Sequence, residues 1–154
     1  LFMGLMNVNG EPYVIEYNCR MGDPETEVVM PRLKNDIVDL FLAVHNSSLN
    51  SIDVSYDERA CATVVAVSGG YPGDYCKGLA VAGLKELATT AETIVFHAGT
   101  KQSGNEILTN GGRVFAVTSY GNNIGDAVRK SKTVLGQFYF DGMYFRKDIG
   151  YEFA

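Results

Sequence analysis

The chain has 154 residues, 46% of them hydrophobic and 20% charged, with a formal net charge of -5 and no tryptophan. These are the proportions of a folded globular protein of one or two compact units. Mild acidity without a Lys/Arg cluster argues against nucleic acid as the main partner, and no apolar run approaches the roughly 20 residues that span a bilayer. With no basic-then-apolar leader ahead of a cleavage site, the expected location is cytoplasmic.

The sequence opens on Leu1-Phe2-Met3-Gly4-Leu5-Met6-Asn7-Val8, already inside an apolar strand pattern with no preceding cap, the look of a chain entered midway. Asn9-Gly10 is a strong short hairpin signal, returning through Tyr13 and Val14. From Ile15 to Met21 apolar and polar side chains alternate. That period predicts a strand with Ile15, Tyr17, Cys19 and Met21 toward a core and Glu16, Asn18 and Arg20 on the other face. Side chains two apart on one strand face stand roughly 7 Å apart at the backbone, so a carboxylate and an amide carbonyl can converge on one ion. Both are hard oxygen donors suited to Mg²⁺ or Mn²⁺, and Arg20 offers a planar fork for phosphate or carboxylate. The same alternation describes any antiparallel strand with one wet face. The residues after Met21 tip the balance: Gly22 permits a bend, Asp23 is placed to cap a helix opened by Pro24, and Glu25 and Glu27 add carboxylates to its first turn.

Asp36-Ile37-Val38-Asp39-Leu40-Phe41-Leu42-Ala43-Val44 has the apolar spacing of an amphipathic helix with an acidic start. Asn46-Ser47-Ser48-Leu49-Asn50-Ser51 then dissolves the pattern, and the boundary between two units is expected near it, over residues 1–55 and 56–154. Ala60–Val67 reads as a strand ending in Ser68-Gly69-Gly70-Tyr71-Pro72-Gly73, a loop equally suited to a plain turn or to approaching a ligand. Residues 93–96 form another strand, leading to His97-Ala98-Gly99-Thr100-Lys101. Ile107-Leu108-Thr109 and Arg113-Val114-Phe115-Ala116-Val117-Thr118 are predicted to pair about a turn at Asn110-Gly111-Gly112, and spacing alone makes Arg113 a solvated end residue. Residues 123–136 show a broken helical face, with Arg129, Lys130 and Lys132 as a solvated cationic face near the end. Gly142-Met143-Tyr144-Phe145 predicts a last short strand. Cys19, Cys61 and Cys76 form no close pair and only His45 and His97 could join them, so no structural zinc site is expected; Cys19 and Cys61 read as buried thiols, Cys76 as a loop residue. Strands mixed with helices and hairpins give an α+β class, the second unit packing against the first.

The run Glu16-Tyr17-Asn18-Cys19-Arg20-Met21-Gly22-Asp23-Pro24-Glu25-Thr26 closely resembles the carboxyl-terminal part of the phosphoribosylamine–glycine ligase family, also called glycinamide ribonucleotide synthetase, an ATP-grasp family of purine biosynthesis. Arg32-Leu33-Lys34-Asn35-Asp36, Gly69-Gly70-Tyr71-Pro72-Gly73-Asp74-Tyr75, Phe96-His97-Ala98-Gly99-Thr100-Lys101, Thr109-Asn110-Gly111-Gly112-Arg113-Val114 and Arg146-Lys147-Asp148-Ile149-Gly150 are similar to it in the same order, so the resemblance covers nearly the whole chain. It implies the end of an ATP-grasp catalytic domain over residues 1–55 and a small α+β carboxyl-terminal domain over 56–154. It also implies ligation of glycine to 5-phosphoribosylamine with ATP as co-substrate, through a glycyl phosphate. Within it, Glu16 and Asn18 carry over as ligands of Mg or Mn, and Arg20 as the cation facing the phosphoryl group or the glycine carboxylate. Asp23 and Glu25 would orient the amine or accept its proton. Lys101 and Arg113 resemble the lysine and arginines with which a related ATP-grasp enzyme, the formate-dependent glycinamide ribonucleotide transformylase, holds a ribose phosphate. No Gly-rich phosphate loop with a partnered lysine precedes residue 14, so the ATP cradle is expected from upstream sequence of the same enzyme and the isolated chain is expected to be inactive. Two alternatives stand beside this reading: a non-catalytic module binding metal-nucleotide or a partner, and another ATP-grasp ligase, since Glu-x-Asn-x-Arg recurs across that superfamily. The signatures after residue 90 argue against the latter.

Overall fold

A computed structural model describes residues 2–87 and 90–153. Strands β1 (Phe2–Val8) and β2 (Glu11–Asn18) form the expected antiparallel hairpin. Its turn places Asn9 at φ 54° and Gly10 at φ 93°, the left-handed pair that a tight hairpin needs. Asn7 Oδ1 accepts a hydrogen bond from Gly10 N at 2.8 Å and closes it. Two expectations fail here. The strand stops at Asn18, so Cys19, Arg20 and Met21 are irregular chain. Nor is the apolar face buried: Ile15 and Tyr17 are each 62% exposed, and Cys19 is exposed. A two-stranded ribbon cannot cover its own faces, and the described chain lays little over either.

Helix α1 (Thr26–Arg32) follows a cis Asp23–Pro24 peptide and begins after Glu25, whose side chain makes no cap. Asp23 does not cap it either. Instead the Thr26 hydroxyl reaches back to the Gly22 carbonyl at 2.6 Å. Helix α2 (Ile37–His45) starts as its sequence predicts, with Asp36 Oδ1 accepting from Val38 N at 2.8 Å. A single turn of tighter helix, Leu49–Ser51, leads out of the polar stretch.

The main sheet contains β3 (Ala60–Val67), β4 (Thr93–His97) and β7 (Arg113–Gly121) in the order β3-β7-β4, all antiparallel. A separate hairpin pairs β5 (Thr100–Ser103) with β6 (Glu106–Thr109) about Gly104, at φ 58°. The expected pairing of the strands flanking Asn110-Gly111-Gly112 is therefore corrected: β6 turns back onto β5 while β7 enters the larger sheet. The physical reason is burial. Val114, Phe115, Ala116 and Val117 are all buried, so β7 needs cover on both faces and takes the central place.

Helix α3 (Ile124–Leu135), capped by Asn123 Oδ1 on Asp126 N at 2.8 Å, covers one face. Ser131 of α3 donates to Ser119 Oγ at 2.9 Å. The next residue on β7, Tyr120, points to the opposite face by strand alternation, where its hydroxyl donates to the Pro31 carbonyl of α1. The sheet thus lies between α3 and the helix that comes after the motif. Its core includes Val64, Ala66, Phe115, Leu135, Phe138 and Phe140, with the Phe115 and Phe138 rings edge to face at 5.0 Å. Cys61 is buried as expected, and burial pushes its thiol up; Cys76 is exposed.

Two smaller expectations also change. Residues 142–145 are not a strand, but Tyr144 exchanges backbone hydrogen bonds with Val67 at 2.8 and 3.1 Å. The cations of α3 are not merely solvated: Lys130 Nζ donates to Glu92 at 2.8 Å and to the Tyr120 carbonyl at 3.0 Å, and Lys132 Nζ to the Lys147 carbonyl at 2.6 Å. No described helix is long and apolar enough to cross a membrane.

Candidate functional site

Strand β2 delivers the first residues of the site. Asn18 Nδ2 donates to Glu16 Oε1 at 3.0 Å, so the two lie on one face as the alternation requires. That contact uses the amide nitrogen and leaves the carbonyl oxygen out of it. A carboxylate and an amide carbonyl fit a hard divalent ion that draws most of its shell from water and phosphate. They are not a closed cage: among the described residues no cluster of three or more His, Cys, Asp or Glu is placed to hold a metal.

Beyond the strand the chain folds tightly. Arg20 Nη1 donates to the Met21 carbonyl at 2.9 Å, which tethers the guanidinium at the turn. Gly22 is buried, and a Cβ there would meet the Glu25 carboxyl carbon at 3.0 Å; the missing side chain is what lets Glu25 fold back over the bend. Asp23, freed from capping, pairs across 90 positions of sequence with Arg113, Oδ2 to Nη2 at 2.7 Å. Both side chains are substantially exposed, 57% for Asp23 and 39% for Arg113. Such a pair adds little to stability. Its importance is positional, because it ties the motif turn to the start of β7.

Around Arg113 three loops converge through backbone. Gly99 N donates to the Arg113 carbonyl at 2.8 Å, Asn110 N to the Gly99 carbonyl at 2.7 Å and Ser68 N to the Gly112 carbonyl at 2.7 Å. Ser68 Oγ adds a bond to the Gly111 carbonyl at 2.9 Å. Glycine is needed at the crossing: a Cβ on Gly99 would lie 2.7 Å from Gly111 Cα, and one on Gly112 would enter the Tyr71 ring. The result is a cavity of about 430 Å³ between the motif turn and these loops, lined in part by Asp23, Glu27, Tyr71, Gly99, Gly112 and Arg113.

The structure thus joins Asp23 and Arg113, and places Glu16 beside Asn18. Lys101 lies on β5, exposed and outside the cavity lining, and Glu16, Asn18, Arg20 and Glu25 are outside it too. Glu27 and Tyr71 line the cavity although neither is among the site residues expected from the sequence. Their signals were present, as a carboxylate in the first helical turn and an aromatic within a Gly-Pro loop, but neither spacing shows which way a side chain points. His97 packs edge to face on Phe115 at 5.1 Å and shares a hydrogen bond with the Thr100 hydroxyl at 3.0 Å, a structural setting.

A three-stranded sheet held between two helices, with a charged cleft at the end of its central strand, defines a mixed α/β protein. Residues 61–152 match the family model described as "Phosphoribosylglycinamide synthetase, C domain". The chain belongs to the phosphoribosylglycinamide synthetase family. It is 44% identical over 152 residues to a phosphoribosylamine–glycine ligase of Vibrio vulnificus and 45% identical over 153 residues to that of Escherichia coli. Each alignment covers 98% of this chain and 35% of the relative. A bifunctional purine biosynthetic protein of Dictyostelium discoideum is 46% identical over 138 residues, 89% of this chain and 17% of that protein. The crystal structure of phosphoribosylamine–glycine ligase from Thermotoga maritima superposes with a TM-score of 0.76 at 30% identity, covering 95% of this chain and 35% of that one. The chain spans about a third of the length of these single-function relatives.

Proposed function

We propose that this chain forms the carboxyl-terminal part of a phosphoribosylamine–glycine ligase: ATP, glycine and 5-phosphoribosylamine give glycinamide ribonucleotide, ADP and phosphate in purine biosynthesis. The ion pair between Asp23 and Arg113 at the shared cavity carries the reading. It joins the motif turn, where acyl transfer would occur, to the glycine loops, where a ribose phosphate would sit. In this division residues 1–55 end the ATP-grasp domain, residues 56–154 form the carboxyl-terminal domain, and the remaining length of the relatives supplies the ATP cradle.

The glycine carboxylate oxygen attacks the γ-phosphorus and ADP departs. The amine nitrogen of phosphoribosylamine then attacks the glycyl carbonyl carbon and inorganic phosphate departs. Arg20, tethered at the turn, faces the phosphoryl group and the carboxylate, a fixed cation where negative charge develops. Arg113 and Lys101 hold the ribose phosphate, Arg113 through its planar fork and Lys101 from the neighbouring hairpin. A phosphate on Arg113 competes with Asp23 for the guanidinium and frees the Asp23 carboxylate. Asp23, with Glu25 beside it, orients the amine and accepts the proton it sheds. Glu16 and Asn18 would hold the Mg²⁺ or Mn²⁺ that neutralises phosphate charge.

The test uses this chain joined to its upstream coding region. Arg113→Ala should weaken glycinamide ribonucleotide binding by about tenfold or more, the usual loss for a charge-assisted contact, while Mn²⁺ binding stays intact. Unchanged ribonucleotide affinity would remove Arg113 from the substrate site.

A further inference from the structure

The cavity beside Arg113 contains a carboxylate for which the ligase chemistry gives no use. Glu27 lines the same space as Asp23, Tyr71, Gly99, Gly112 and Arg113. Its Oε2 is buried and finds no hydrogen-bond partner among the described residues. Buried polar atoms are nearly always satisfied, and an unsatisfied carboxylate oxygen costs free energy. Helix α1 nonetheless fixes Glu27 there, one turn before the Pro31 carbonyl that Tyr120 secures to the sheet. A carboxylate with acceptor capacity left over in a cavity is prepared for donors that arrive with a ligand.

The other walls say which donors. Arg113 is the cation of the cavity, Gly99 and Gly112 bring backbone close, and the Gly112 position leaves room for the Tyr71 ring. Arg113 selects an anion. A carboxylate across the same space repels a second anion and accepts hydrogen bonds from neutral hydroxyls, two at once from a vicinal diol because its oxygens are paired in one plane. One molecule carrying a phosphate at one end and a cis diol a few bonds away satisfies both walls.

We propose that Glu27 is a specificity residue that accepts hydrogen bonds from the ribose hydroxyls, including the 2-hydroxyl, while Arg113 holds the phosphate; this rests on the ribose-phosphate reading of the cavity. Glu27 then distinguishes ribose from deoxyribose and sets the sugar's orientation. It touches no reacting bond.

The experiment is calorimetric titration of this chain joined to its upstream coding region, using ribose 5-phosphate and 2-deoxyribose 5-phosphate as probes. Wild type should bind the ribose compound about tenfold more tightly, the scale of one hydrogen bond to a charged group. Glu27→Ala should bring the ratio near one by weakening ribose 5-phosphate alone. Glu27→Gln, which keeps one acceptor oxygen and the shape, should fall between and guards against a folding defect. Arg113→Ala should weaken both sugars equally and leave the ratio intact. An unchanged ratio in Glu27→Ala, or an equal loss for both sugars, overturns the role of Glu27 while leaving the phosphate site in place. If neither sugar phosphate binds wild type, or if Arg113→Ala changes nothing, the ribose-phosphate reading itself is wrong and the Glu27 assignment falls with it.

Discussion

Asp57 accepts three hydrogen bonds from Arg59: backbone N at 3.0 Å, Nε at 3.0 Å and Nη2 at 2.7 Å. The guanidinium also stands 4.3 Å over the Tyr120 ring, so one residue joins the approach to β3 with the strand that grips α1. The hydrogen bond from the Arg59 side chain, then that from its backbone, holds the Asp57 carboxyl well below the usual carboxylate range. A depressed folded-state pKa contributes stability that is present above the unfolded value, near 3.9, and is lost as pH falls through the folded one. Asp57→Asn should therefore lower the urea midpoint at pH 7. Its deficit against wild type should shrink steadily below about pH 4, and a constant deficit across that window would show the carboxylate charge to be irrelevant. Tyr120→Phe removes only the hydroxyl on Pro31 and should cost about 1 kcal/mol, read as a lower denaturation midpoint with unchanged urea dependence.

Among elements, β7 and the glycine crossing do most to place the site. Phe115 is fully buried on the central strand, against Phe138 and Phe140. Phe115→Ala should cost about 3–5 kcal/mol. At the crossing, Gly99→Ala should destabilise by about 1–3 kcal/mol, since backbone rather than a flexible side chain stands in the way. It should also disturb the Arg113 end of the cleft, visible as shifted amide resonances at Gly111, Gly112 and Arg113. Gly104→Ala meets nothing within 4 Å and strains only the backbone at φ 58°, so a loss of about 1 kcal/mol without those shifts is expected. Comparable resonance shifts in both variants would contradict the crossing as the organiser of the cleft.

Elements with local determinants were legible in the sequence. The Asn9-Gly10 turn, the helix with its acidic start at Asp36 and β3 stand where their residues predict. What was not legible depends on partners distant in the chain. Alternation from Ile15 to Met21 does specify two faces, but nothing local says how far the ladder continues or what covers it, and the strand ends at Asn18. Asp23 looks like a cap because capping is local chemistry; its partner Arg113 is 90 residues away. Asn110-Gly111-Gly112 is a good turn and so predicts β6–β7 pairing, but Gly104-Asn105 is an equally good one and is where the chain reverses. Of the site itself, Glu16 and Asn18 sharing a face came from period two, whereas Glu27 and Tyr71 emerge only once helix and loop are folded over one cavity.

For the whole molecule, the chain divides into a well-buried sheet-and-helix unit and a motif hairpin whose apolar residues are largely exposed. The motif side would supply metal ligands and the phosphoryl-facing arginine, the other side the ribose phosphate site, with Asp23 and Arg113 between them. Relatives named phosphoribosylamine–glycine ligase are about three times as long as this chain. In the proposed function this chain would complete an ATP-dependent ligase only when joined to its upstream region. Glycine- and phosphoribosylamine-dependent ADP release tests it directly, measured for the chain alone and joined to that region, each as wild type and Glu16→Ala. The chain alone should give no turnover, the joined protein should turn over only with both substrates, and Glu16→Ala should abolish that turnover. ATP consumption by the joined protein that needs neither substrate, or none at all, would contradict it.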